Sequence, residues 1–209
     1  MSPTILFIFE IIVLYFVPVF GMGYNPTLLS YRPYLFLLGG IYVLWRGISH
    51  KVSLSDWGIT TRGWHYGWTH LISTTLILPL LAFFILSVSS TALQSWLIGY
   101  DMLSASLPLR LFLYSFVSVP IQEFIFRSYL TWRMDTLGYG TKLNIAISSL
   151  LFIAGHIPFR SPIMLGVVIV IGYVYSRLYV HHRNIFPILL SHAIVGSLLI
   201  LTRNHFIPY

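Results

Sequence analysis

Residues 69–90 read THLISTTLILPLLAFFILSVSS, twenty-two positions without a Lys, Arg, Asp or Glu. Crossing a bilayer as a helix takes about 20 mostly apolar residues, since each residue advances the helix by about 1.5 Å. One such run could be buried inside a soluble domain. Here six more accompany it, over residues 5–20, 34–46, 107–129, 143–157, 163–180 and 185–201. Only 8% of the 209 residues are charged, against about 25% in soluble domains, so no polar shell can be built around these runs. The outside must face lipid. The expected fold is an all-α polytopic membrane helical bundle of about six to eight transmembrane helices.

The rest of the composition agrees. The chain is 57% hydrophobic, with a mean hydropathy of +0.83. Cys is absent, which removes disulfides, thiolate nucleophiles and Cys-ligated zinc from consideration. Twelve Lys and Arg against five Asp and Glu give a net charge of +7. The basic residues lie in short loops and form no stripe, so the expected partner is the lipid bilayer and not nucleic acid. Alternating the seven runs across the membrane puts Arg46, Lys51, Arg62, Arg127, Arg133, Lys142, Arg177 and Arg183 on one side. Arg32, Arg110, Arg160 and Arg203 fall on the other. That bias predicts an N-terminus inside and a C-terminus outside. The expected location, which the bias does not itself fix, is a bacterial inner (plasma) membrane. The first run carries Glu10, lacks a basic leader and is followed by the poor cleavage sequence Gly21-Met22-Gly23, so it reads as a retained helix. No linker or repeat interrupts the chain, and residues 1–209 read as a single integral membrane domain. The Trp-rich connection over residues 53–68 and the stretch over 91–106 suit segments lying at headgroup level.

Inside the apolar runs the ionisable residues are the informative ones, each costing about 2.5–3.5 kcal/mol at a helix centre unless it is paired or wet. Gln122, Glu123 and Arg127 sit together in the fourth run, and the four-residue spacing of Glu123 and Arg127 puts them on one helix face. Pro120, just before them, leaves the carbonyl of Phe116 without its helical donor. In the fifth run Asn144, Ser148, Phe152 and His156 recur at intervals of four and define one face. In the seventh, His192 is followed one turn later by Gly196. Glu10 calls for a structural His or Arg partner that the sequence does not name. His50, His65, His70, His181, His182 and His205 show no spacing typical of a metal site.

One acid and two imidazoles on three helices at membrane depth suggest a cavity where water meets them. A carboxylate can take a proton from water, and imidazoles can orient that water or donate to a developing oxyanion. Such a site can hydrolyse an amide without a covalent intermediate. No G-x-S-x-G or H-E-x-x-H is present to support serine or zincin chemistry.

These segments resemble the CPBP (Abi) family of glutamic intramembrane proteases, the group of CAAX prenyl endopeptidases and bacteriocin-processing enzymes. Gln122-Glu123-Phe124-Ile125-Phe126-Arg127 matches the family's Glu-Glu-x-x-x-Arg except at its first position. Phe152 to His156 meets Phe-x-x-x-His, and His192 meets His-x-x-x-Asn with Gly196 in place of Asn. The resemblance covers residues 107–201 as a protease-like core. It implies an endopeptidase that cuts membrane-anchored or lipidated proteins, often near a C-terminus, without metal or cofactor. By motif, residue 122 and His156 would activate water, His192 and residue 196 would stabilise the oxyanion, and Glu123, Arg127 and Phe152 would brace the site.

Two positions depart from that pattern. Gln122 stands where the water-activating Glu belongs, and an amide is not a base. Gly196 removes an oxyanion donor, a loss worth about 10²–10³ in rate in other hydrolases. Three readings of Gln122 stay open: an engineered dead site, a diverged enzyme using Glu123 as base, and an inactive membrane scaffold or binding protein of the same fold. A proton-coupled transporter would need paired broken helices, which the sequence lacks. A metal hydrolase would use Glu123, His156 and His192 as ligands. Counting along the expected runs also puts Glu123 near the inner side and His156 near the outer, although the mechanism requires them to be close.

Overall fold

A computed structural model describes residues 2–25, 31–65, 68–98 and 106–207. All regular structure in them is helical: α1 (Pro3–Gly21), α2 (Arg32–Ser49), α3 (Trp68–Ser87), α4 (Thr91–Ile98), α5 (Leu107–Thr136), α6 (Thr141–Ala154), α7 (Pro162–His182) and α8 (Phe186–Phe206). Six are long and apolar enough to span a membrane once α6 is counted with the 3₁₀ turn that follows it, and α2 is a shorter apolar helix. The chain is an all-α polytopic integral membrane protein.

The bundle is apolar outside and carries a buried polar cluster beside its hydrophobic core. On α3, Leu71, Thr75, Ala82 and Leu86 are buried while Ile72, Leu76, Leu80 and Phe84 are exposed. Its interior holds Gln122, Glu123, Arg127, Ser128, Asn144, Ser148 and Ser176, each 1% exposed or less. With no hydrophobic drive between helices in lipid, close approach and hydrogen bonds hold them together. The Ser176 hydroxyl donates to Ser148 Oγ at 3.0 Å, and Ser149 donates to the Gly172 carbonyl at 3.2 Å, locking α7 to α6. Thr75 on α3 and Ser191 on α8 share a hydrogen bond of 2.5 Å.

Two prolines shape the long helices. Val17 donates to the Ile12 carbonyl, and Val119 donates to the Tyr114 carbonyl, each closing a π turn immediately before Pro18 or Pro120. The wider turn makes room for the ring and rearranges the carbonyls that proline cannot serve, so α5 continues through Pro120. That helix also outruns its expected end at residue 129, because Leu130 and Met134 extend its buried face to Thr136.

The α5–α6 pair is a tight antiparallel hairpin. Thr131 donates to Asn144 Oδ1 at 3.2 Å, and Ser148 donates to the Phe126 carbonyl at 2.7 Å. Counted from the turn at 1.5 Å per residue, Glu123 and His156 both stand about 20 Å away. They are level, and the apparent conflict disappears with the longer α5.

The connection after α2 packs into the bundle through Trp57. Trp57 is 5% exposed and inserts over Gly47, meeting Phe124 edge-on at 4.6 Å. Ser128 donates to the Trp57 carbonyl at 2.7 Å, and Asn184, ahead of α8, donates to the carbonyls of Thr60 and Arg62. The loop thereby fixes the entry of α8 against α5. Tyr66 and Gly67 of the Trp-rich connection and residues 99–105 of the stretch before α5 lie outside the described residues.

Candidate active site

The middle of α5, the end of α6 and the first half of α8 enclose one side of a cavity of about 450 Å³. Its lining is largely apolar; the polar residues on it include Tyr114, Ser118, Gln122, His156 and His192, and Arg110 and Arg203 also line it. Of the residues singled out from the sequence, Gln122, His156, His192 and Gly196 line this space. Glu123, Arg127 and Phe152 stand behind its wall, each wholly buried.

Adjacent positions on a helix point about 100° apart, so Gln122 and Glu123 cannot share a surroundings. The Gln122 amide donates to Ser118 Oγ at 2.8 Å, while its Oε1 is buried without a hydrogen-bond partner among the described residues. Glu123 turns the other way. Its Oε1 accepts from His192 Nδ1 at 2.6 Å, and its Oε2 lies 3.4 Å from Arg127 Nε. A carboxylate only accepts, so the proton of this imidazole sits on Nδ1 and the other nitrogen, Nε2, lies on the side of the ring away from Glu123.

Phe152 is the hub of the arrangement. The Arg127 guanidinium lies 4.2 Å from the centre of its ring. The rings of His156 and His192 pack against it at 4.7 and 5.5 Å between centroids. His156 Nδ1 donates to the Phe152 carbonyl at 2.7 Å, so chemistry at this imidazole runs through Nε2. One ring thus sets the spacing of both imidazoles and covers the buried cation. Among the described residues no three His, Asp or Glu side chains converge as a metal site.

Residues 104–198 match the family model described as type II CAAX prenyl endopeptidase Rce1-like, within the CPBP family. This segment is Rce1-like. Over these residues, less than half of the chain, the protein is similar to membrane proteases of the CAAX prenyl endopeptidase type. No curated protein and no solved structure matches the chain.

Within the Rce1-like segment, sequence reasoning overlooked Tyr114 and Ser118. Both precede Gln122 at intervals of four, the same signal that marked the face of α6. Reading α5 from Pro120 onward hid it. A Cβ placed on Gly196 would overlap the Tyr114 ring and hydroxyl, so the phenol packs directly against α8 at this glycine.

Proposed function

We propose that the protein is an intramembrane endopeptidase that adds water to a peptide bond of a membrane-anchored or lipidated protein, near that protein's C-terminus. The observation that carries this reading is the shared cavity of Gln122, His156 and His192, inside a bundle whose outer face is apolar. A lipidated chain can enter such a space from the bilayer, and its scissile carbonyl can meet water and imidazole there.

In this reading the water sits between residue 122 and His156. A side-chain amide at position 122 can hydrogen-bond that water but cannot take its proton. Proton removal then falls to His156 Nε2, and turnover is slow. Glu123 is not the base: both its oxygens face Arg127 and His192, and it does not line the cavity. Its role is to hold the tautomer of His192 and to offset the charge on that ring when it donates to the oxyanion.

A second reading, a scaffold that binds such chains without cutting them, is favoured by the neutral amide of Gln122 bonded to Ser118 in the middle of the site. The deciding experiment measures cleavage of a prenylated peptide by the protein in lipid vesicles, alongside Gln122→Glu and Gln122→Glu with His156→Ala. Protease function predicts a gain of about 10² or more for Gln122→Glu, within the range of general acid–base catalysis, and its loss when His156 is removed. Binding of the peptide without cleavage by any form supports the scaffold.

A further inference from the structure

We propose that the hydroxyl of Tyr114 is an oxyanion donor of this site, delivered from α5 into the space that a side chain at position 196 of α8 would fill. The inference rests on the protease reading above and names a residue that the three motifs do not contain.

Three observations meet at this hydroxyl. Position 196 follows His192 by one turn on the same face of α8, so a side chain there would reach toward the same substrate atom as the His192 ring. Position 196 is glycine, and a Cβ built on it would overlap Tyr114 Oη and Cζ. The Tyr114 ring also stands edge-on to His192, 6.0 Å between centroids at 80°, and all three residues line the cavity. The phenol and a residue-196 side chain are therefore mutually exclusive occupants of one place beside His192.

The backbone accounts for the delivery. Tyr114 opens the π turn that ends at Ser118, just before Pro120. In a regular helix, eight residues leave Tyr114 about 80° out of line with Gln122. A π turn spends more residues on each revolution and brings Tyr114 back toward the Gln122 face. The same turn that accommodates the proline thus aims the phenol at the site.

The chemistry balances. Water oxygen bonds to the scissile carbonyl carbon, the carbonyl π pair moves onto its oxygen, and the proton released by the water passes to the base. Tyr114 O–H and His192 Nε2–H, in its protonated form, donate to the oxyanion. The oxyanion pair then re-forms the carbonyl, the C–N bond breaks, and the leaving nitrogen takes the proton back from the base. A phenol suits this task in an apolar cavity because it holds its proton at neutral pH and brings no net charge. Loss of such a donor costs about 10²–10³ in turnover.

The test uses the full chain in lipid vesicles, with a prenylated peptide as substrate and a phosphinate analogue of that peptide as a stable tetrahedral anion. Kinetics are read in the Gln122→Glu background and phosphinate binding in the unaltered chain. Tyr114→Phe keeps the ring and removes only the donor. It should lower kcat by about 10²–10³ with KM little changed, and weaken the phosphinate without weakening the peptide. Gly196→Asn alone should also lose turnover, since the two side chains collide. Tyr114→Ala with Gly196→Asn should recover at least tenfold over Tyr114→Ala, by restoring a donor from the other helix. If Tyr114→Phe leaves both kcat and phosphinate affinity within threefold, the phenol is packing and the proposal is overturned. If the peptide binds but no form cleaves it, the phosphinate arm alone decides. If neither probe binds the unaltered chain, the protease reading fails and takes this proposal with it.

Discussion

His192 Nδ1 and Glu123 Oε1, 69 residues apart in sequence, meet at 2.6 Å behind the cavity wall, where neither residue is more than 3% exposed. The same carboxylate faces Arg127 on its own helix. Removing one member of a buried pair leaves a charge uncompensated, whereas replacing the pair by apolar groups is tolerated far better. Glu123→Ala is therefore expected to destabilise the bundle by about 3–5 kcal/mol in denaturant unfolding. Glu123→Leu combined with Arg127→Met should regain most of that loss and yet leave His192 without its orienting acceptor. A loss below about 1 kcal/mol for the single variant would show that the pair is not desolvated in the folded protein.

Phe152→Ala should act on stability and on the site together. The ring is wholly buried and touches Arg127, His156 and His192 at once. Truncating a buried Phe costs about 3–5 kcal/mol. Phe152→Leu keeps most of the volume but not the flat face, so it should retain most of the stability while still losing peptide cleavage in the Gln122→Glu background. Equal fractional losses of folding and activity in both variants would mean that the ring only fills space.

Much of this arrangement is legible from residue spacing, because a helix repeats every 3.6 residues. The face formed by Asn144, Ser148, Phe152 and His156 turns inward as a unit, and Glu123 reaches Arg127 four residues on. What spacing does not supply is rotation about the helix axis. Whether Gln122 or Glu123 faces the cavity depends on the π turns at Tyr114–Ser118 and Phe124–Tyr129, which shift the register on either side of them. Partners far apart in sequence are also invisible to periodicity, as the carboxylate of Glu10 and the indole of Trp57 show.

Gly47→Ala tests the docking of the loop that leads to α8. Its Cβ would overlap the Trp57 indole, and Trp57 is held against Phe124 and by the Ser128 bond to its carbonyl. Overpacking of this kind costs about 1–3 kcal/mol. Trp57→Phe frees the volume the methyl needs, so the double variant should be less destabilised than the sum of the single ones, with a coupling above about 0.5 kcal/mol in a double-mutant cycle. Additive effects would mean that residue 47 does not feel the indole.

Glu10 separates structural from catalytic burial of charge. It accepts from Tyr42 Oη at 2.7 Å, Arg46 Nε at 3.1 Å and Arg133 Nε at 2.8 Å, tying α1 to α2 and to the end of α5. None of these residues lines the cavity. Glu10→Gln keeps the shape and withdraws the anion that pairs with two guanidinium groups, each largely buried. An unfolding loss of about 3–5 kcal/mol is expected, with KM and kcat per folded molecule unchanged in the Gln122→Glu background. Replacing Arg46 by Met as well removes one of the two opposed cations, so it should return part of the lost stability. A fall in kcat without any fall in stability would instead place Glu10 on a proton path to the cavity, since a purely structural carboxylate cannot slow turnover in molecules that remain folded.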